Sequence, residues 1–319
     1  MKRFSIGTSI SDGFRLVTSR PLTVFVWGLL MLAPTFGARA LILPAMGEMF
    51  ASMPDADSTA AMDEAFSEAM VGQMMQFQLA SMLSNVVQLL VMAVIYTAIF
   101  RAVLRPGERS FFSLRLGMDE LRVAVVGLAI GVGLYVAVIV AVLLGVGIGF
   151  GVGAADTAAG VWTAVLLVFA IILGVLWLMA RVSLIAPASV LYRDFAFAQG
   201  WKLAAGKGWA LFGMNLLIWL MIMGIYMVVA FVVALTIGGV IATMFPALEA
   251  MPSDANPFAE MSAWMAANWH WAIVAGIIGS MVYGALMTVM IAPFASACRQ
   301  LAGSSAPGEP AASSPEPSL

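Results

Sequence analysis

The sequence predicts an all-α, polytopic integral membrane protein with six transmembrane helices, paired as three helical hairpins, and amphipathic helices at the interface. Three observations predict it. The 319 residues are 62% hydrophobic and only 10% charged, with a mean hydropathy of +1.01, more apolar than a water-facing surface tolerates. Six apolar segments, at about 21–45, 76–100, 122–150, 161–186, 209–244 and 270–297, each have room for the roughly 20 residues of one helical crossing. The charges alternate in sign between them: of fifteen Lys and Arg, all but Arg39 lie at the N-terminus, around the second and fourth gaps, or after the last segment. The first, third and fifth gaps (46–75, 151–160 and 245–269) hold no Lys or Arg but carry acids such as Asp57, Asp156 and Asp254. By the positive-inside rule this places both termini in the cytoplasm and the acidic loops outside.

Before the first crossing, Phe4, Ile6, Ile10, Phe14, Leu16 and Val17 are interleaved with Ser, Thr, Asp and Arg. This pattern predicts an amphipathic helix lying in the interface, ended where Pro21 opens the first crossing. It is too polar for the apolar region of a cleaved signal peptide. Segments 110–121 and 195–207 are expected to lie flat in the same way.

The hairpins (about 21–100, 122–186 and 209–297) carry signs of repetition. Gly13-Phe14-Arg15-Leu16, with Arg20 after it, precedes the first crossing, and Gly200-Trp201-Lys202-Leu203, with Lys207, precedes the fifth. Both runs read glycine, aromatic, basic, leucine, then a further basic residue. A looser copy, Phe111-Phe112-Ser113-Leu114-Arg115-Leu116, precedes the third crossing. The first and third outer loops are each expected to carry a helix, capped by Asp57 or Ser58 and by Asn256-Pro257. The middle hairpin has only a short outer turn near Gly151–Gly160. Residues 1–302 form the transmembrane domain. The tail 303–319, rich in Ser, Pro, Ala and Gly, is expected to be a disordered cytoplasmic segment.

Small residues four apart (Gly127/Gly131, Gly145/Gly149, Gly147/Gly151, and Gly276/Ser280/Gly284) predict close helix packing, within the monomer or between two copies. Trp27, Trp162, Trp209 and Trp269 lie near predicted helix ends, where an aromatic belt belongs.

The chemistry available is sparse. The six segments hold no Asp, Glu or Lys at their centres, which argues against a carboxylate proton relay. Arg39, toward the outer end of the first helix, either snorkels to headgroups or contacts an anion, a lipid phosphate or Glu48. Arg101 and Arg181 lie inside the inner ends of the second and fourth helices, where lipid phosphate is the most plausible ligand. Arg15, Arg20, Lys202 and Lys207 on the interfacial segments are the other candidate lipid or anion contacts. Gln78, Ser81, Asn85 and Gln88 form a polar stripe on one face of the second helix. The stripe either bonds neighbouring helices or lines a polar cavity. His270 stands alone among outer-interface tryptophans. Cys298 is the single cysteine, a small apolar residue or, more rarely, an acylation site. The methionines near the first outer loop are read as adaptable apolar residues rather than copper ligands. The run 145–153 lacks the Lys and Ser/Thr of a phosphate loop. No cofactor, metal or nucleic acid is therefore expected as a partner, and no nucleophile–base pair marks an enzyme.

The run Arg181-Val-Ser-Leu-Ile-Ala-Pro187-Ala-Ser-Val, followed by Gly200-Trp-Lys-Leu-Ala-Ala-Gly206-Lys-Gly208-Trp209, resembles the membrane domain attached to some bacterial glycerophosphodiester phosphodiesterases. It is similar also to the related YciC-like inner-membrane proteins. Gly13-Phe14-Arg15-Leu16 fits the same pattern. The phosphodiesterase catalytic domain is absent, so its activity does not carry over. The resemblance implies a six-helix module of a bacterial inner membrane. The expected function is non-enzymatic contact with membrane lipids or a partner protein, with a homo-oligomer possible. The alternative is a transporter or channel for a small solute or lipid.

Overall fold

The structure, a computed structural model, describes residues 4–51, 64–107, 111–115, 117–154, 156–249, 267 and 269–305, without the side chains of 38–51, 64–70, 240–249 and a few single positions. All regular structure among these residues is helical: α1 (Ile6–Ser19), α2 (Pro21–Ala51), α3 (Glu64–Leu104), α4 (Met118–Gly153), α5 (Thr157–Val182), α6 (Ile185–Tyr192), α7 (Phe197–Leu203), α8 (Gly208–Glu249) and α9 (Trp269–Ser305). Five of the described helices are long and apolar enough to cross a membrane, and α1 with the start of α2 makes a sixth if the two are one span. The long helices overshoot the hydrocarbon. At about 1.5 Å per residue, the 42 residues of α8 reach roughly 63 Å, against about 30 Å of hydrocarbon.

The breaks follow from sequence. Pro21 cannot donate a backbone bond into a preceding turn, so α1 ends at Ser19 and α2 starts on the proline. Pro187 has the same effect within the fourth predicted crossing. It lacks an N–H and collides with the carbonyl four residues back, at Ser183, and α5 gives way to α6 there. Pro293 is instead carried inside α9. Arg193, at φ 55°, and Gly206, at φ +71°, take the left-handed turns that flank α7.

The middle hairpin is as short-turned as its sequence suggests. α4 ends at Gly153, and Asp156 caps α5 by accepting the Ala158 and Ala159 N–H groups at 2.8 and 3.3 Å. The two helices meet along a glycine seam. A Cβ on Gly160 would sit 2.5 Å from the Gly153 Cα, while those on Gly149 and Gly145 would touch Ala164 and Ile171. Of the small-residue pairs, Gly145/Gly149 therefore packs within the monomer. Gly127, Gly131, Gly147 and Gly151 have no described atom within reach of a Cβ.

The chain divides into two compact units. One comprises 1–19, 96–219 and 288–319; the other comprises 20–95 and 220–287. The core of the first gathers Ile99, Val123, Val126, Leu184, Ala188, Leu211, Met214, Ala292 and Cys298. In the second, α2 and α9 approach through Gly28, Ser280 and Gly284, where no side chain would fit. The sequence reading missed Gly28.

Several expectations are corrected. Of segment 110–121, the described residues form no single flat helix but a 3-10 turn (Phe111–Ser113) and, from Met118, the first turn of α4. Asp119 and Glu120 suit that helix start, where the backbone dipole favours acids. Trp27 is 1% exposed and belongs to a core, not to a belt. Cys298 is buried, out of reach of acylation. The helix expected in the first outer loop is described from Glu64 on, where it extends α3; its Asp57 or Ser58 cap, the helix opened by Asn256-Pro257 and the tail beyond Ser305 lie outside the described residues.

Candidate functional site

The charged side chains gather where the Arg-bearing helix ends converge. Arg101, on the last turn of α3, is only 3% exposed. Its guanidinium donates to Glu120 at 2.5 Å and to the Ser113 carbonyl at 3.1 Å. Arg105, one turn on, donates to Asp119 at 3.1 Å and to the Val190 carbonyl on α6. Arg122 closes the cluster on Asp119 at 2.9 Å. Three arginines face two acids, a net charge of +1 for the group. A buried charge survives only when paired and hydrogen-bonded, and none of the buried guanidinium nitrogens here lacks a partner. One acceptor, Glu120 Oε2, is buried without a partner. Arg101 was expected at lipid phosphate. It is spent on this internal cluster, because acids 18 and 19 residues further along fold back onto it.

Arg181 sits differently. Its guanidinium lies 4.6 Å from the Trp201 ring centre and 5.7 Å from that of Trp177, and donates to the Ala204 carbonyl at 3.0 Å. Two indole faces hold a cation in a semi-apolar setting, a cation–π arrangement. Its Nε is buried without a partner. The same short stretch, α7 and its following turn, carries Lys202 and Lys207, both exposed. Of the candidate lipid contacts, these three share one neighbourhood.

Arg15 is exposed on α1, and Arg20 is half-buried at the break before α2. Arg39 lies on α2, with its side chain outside the described residues. In the stripe on α3, Gln78 and Asn85 are exposed and Ser81 and Gln88 half-buried. Among the described residues none of the four bonds another helix, and Gln88 Oε1 is buried without a partner.

The two best-matching sequence runs are placed alike. Gly13 is buried against α9, where a Cβ would meet Val289, Pro293 and Ala292 at 3.4–3.7 Å; Gly200 is buried against Ile185, where a Cβ would come within 2.6 Å of the Ile185 Cα. The aromatic beside each turns outward, Phe14 at 43% and Trp201 at 39% exposure, and so does the basic residue that follows. Each run leads into a long helix with the same buried spacing: Val24, Trp27 and Met31 in one, Leu211, Met214 and Ile218 in the other.

Sequence reasoning missed the docking of α1. Ser296 donates to the Asp12 carboxylate at 2.6 Å, and Arg299 donates to the same oxygen at 2.9 Å. The Gln300 amide donates to Ser9 at 3.1 Å. The signal was legible: Ile291-Ala292-Pro293 repeats Ile185-Ala186-Pro187, and an arginine follows eight residues after each isoleucine, Arg299 and Arg193. No family model matches the chain, and neither a curated protein nor a solved structure matches it.

Proposed function

We propose that the protein is a non-enzymatic module of a bacterial inner membrane, with both termini cytoplasmic, that contacts anionic lipid through its interfacial segments. The observation that carries this reading is the shared placement of two aromatic–basic pairs, Phe14–Arg15 and Trp201–Lys202. Each is turned outward beside a glycine that anchors its helix to protein. An aromatic ring at headgroup level with a cation beside it suits an anionic interface. The cytoplasmic leaflet supplies that charge, worth about 1 kcal/mol per Lys or Arg near the surface. The orientation rests on the charge asymmetry between loops. The resemblance to membrane domains of phosphodiesterase-linked proteins agrees with a module that serves a membrane rather than a reaction.

The test is lipid retention. Replacing Arg15, Arg20, Lys202 and Lys207 together with Gln should lower co-purified anionic lipid, read by mass measurement of the protein in lipid nanodiscs, by about tenfold or more relative to zwitterionic lipid. Equal retention by the quadruple variant would sink the proposal.

A second reading, transport of a small solute or lipid, draws on one observation. The amides of Gln78, Asn85 and Gln88 lack described hydrogen-bond partners on other helices, and unpaired amides in hydrocarbon are costly. A water-filled route would solvate them. Single cysteines at 78, 81, 85 and 88 in a Cys298→Ser background would then react with water-soluble thiol reagents, because thiolate formation needs water. Protection at all four positions would remove this reading and leave the lipid-contacting module.

A further inference from the structure

The second helix of each hairpin holds the segment that leads into the next. The end of α3 holds the 111–115 stretch and the start of α4, through Arg101 on the Ser113 carbonyl and Arg105 on Asp119. The end of α5 together with α6 holds α7. There Gly200 is pressed onto Ile185, Ser189 Oγ accepts the Ala196 N–H at 3.1 Å, and Arg181 donates to the Ala204 carbonyl. The end of α9 holds α1, through Gly13 against Val289, Ala292 and Pro293, and through Asp12 with Ser296 and Arg299. In the first two cases the held segment comes next along the chain. In the third it comes from the opposite end of the sequence, so the succession closes into a cycle. The second helices are also tied to one another in that order. Arg299 on α9 donates to the Val103 carbonyl on α3 at 2.8 Å, and Arg105 on α3 donates to the Val190 carbonyl on α6.

We infer that α1 is a strap that closes a three-part ring: it fills on α9 the place that 111–115 fills on α3 and α7 fills on α6, with Asp12–Arg299 as its latch. The three seams differ in a way that selects this one as the opening seam. The first is locked by a buried cluster in which the Arg101 side chain is 4% exposed. The second is held by Arg181, which is boxed by two indoles and bonded to the Ala204 carbonyl, and by the uncharged bond of Ser189 with Ala196. The third is latched by an arginine whose side chain is 46% exposed, and its strap continues into α2 only across the break at Arg20. A charge-assisted bond within reach of water yields to competing ions and water sooner than a buried one.

Hydrogen exchange on the full-length protein in nanodiscs tests this. In the unmodified protein the amides of residues 9–16 should be protected but exchange faster than those of 200–203, because a docked strap opens only with its seam and this seam opens first. Asp12→Asn and Arg299→Gln should each raise exchange about tenfold on both sides of the seam, in 9–16 and in 292–301, in keeping with the loss of a hydrogen bond between charged groups. The double replacement Asp12→Arg with Arg299→Asp should restore slow exchange. Ser11→Ala, on the outward face of α1, should leave it unchanged. Unprotected exchange of 9–16 in the unmodified protein, or exchange no faster than that of 200–203, would overturn the proposal, and so would a change confined to α1, no recovery in the charge-swapped pair, or an equal effect of Ser11→Ala. The first of these outcomes needs no variant at all.

Discussion

The Arg-bearing end of the first unit and the outer arms of α4 and α5 are built on opposite plans. At the basic end, short helices and helix termini from α1, α3, α4, α6, α7 and α9 crowd together, and Arg101, Glu120, Ser189 and Ser296 are buried among them. Along the arms, α4 and α5 pack on each other and are otherwise largely open among the described residues. Leu128, Leu143, Phe150 and Phe169 each keep more than three-fifths of their surface open, and the seam between the arms is glycine and alanine. The difference shows what each end asks of its sequence. A surface of leucine and phenylalanine is at home in hydrocarbon, so the arms need no further cover, only a tight backbone approach to hold together. An arginine or glutamate at the basic end is at home only in water or in a full set of hydrogen bonds. Where several helix ends meet, protein supplies that set. Polar burial is thus concentrated where the packing is deepest.

That contrast breaks most readily at Glu120. Glu120→Ala would leave the Arg101 guanidinium buried with its shortest partner gone and only the Ser113 carbonyl and the more distant Asp119 remaining. Removal of one member of a buried pair is worth about 3–5 kcal/mol. Unfolding in mixed micelles with increasing denaturant should show a loss of that size. A loss below about 1 kcal/mol would mean that the cluster is solvated and that the basic end is no better sealed than a surface.

On the arms the vulnerable feature is volume, not charge. Gly160→Leu would drive a side chain into the Gly153 backbone, 2.5 Å from where its Cβ must sit. Overpacking of this kind costs about 1–3 kcal/mol. Gly147→Leu, less than two helical turns from the end of α4 on the same hairpin but with no described atom within 4 Å of a Cβ there, should cost nothing and add helix propensity. Thermal scans of both variants in one detergent make the comparison. Equal losses would show that the outer face of α4 is covered by something as closely packed as α5, and a second copy of the chain would then be the first candidate to test by cross-linking.

These two regions also differ in how far the sequence disclosed them. The arms were legible to within about four residues: segments 122–150 and 161–186 became α4 (Met118–Gly153) and α5 (Thr157–Val182). Uninterrupted apolar runs and glycines four apart carry the helices and part of the seam, because each signal is local in sequence. The basic end was legible only in composition. Arg101 showed its depth in the helix but not its partner, since Glu120 lies 19 residues on, across a turn whose Phe112 and Ser113 adopt left-handed backbone angles at φ 53° and 57°. Asp12 read as a polar residue on an interfacial helix, and nothing periodic reveals that Arg299, 287 residues away, folds back to it. For α1 the amphipathic pattern was right, but its use was not wholly lipid. Its packed side is Ser9, Gly13 and Leu16, small and partly polar, while Phe14 faces outward. In a membrane the apolar side of a helix need not be the buried one, and a period alone does not tell which side meets protein.

The smallest effect is expected at the far tip of the arms. Asp156 accepts two N–H groups of the first turn of α5 and caps a helix whose remaining support is the glycine seam. Asp156→Ala removes that acceptor and exposes the donors, worth about 1 kcal/mol, whereas Asp156→Asn keeps a capping oxygen and should lose less. The tip carries no ion pair among the described residues and lies outside the buried cluster, so the loss should stay local. Amides of 158–162 would exchange faster, while those around Arg101 and Ser189 keep their protection. If Asp156→Ala instead loosened the basic end, the two regions would be coupled through α4 and α5 as rigid levers, and the division drawn between an apolar arm held by contact and a polar end held by bonds would have to be given up. If exchange at 158–162 did not change at all, the first turn would be supported by something other than its cap. Glu120→Ala and Asp156→Ala, measured side by side, therefore set the scale: several kcal/mol against about one, for two carboxylates at the two ends of the same hairpin.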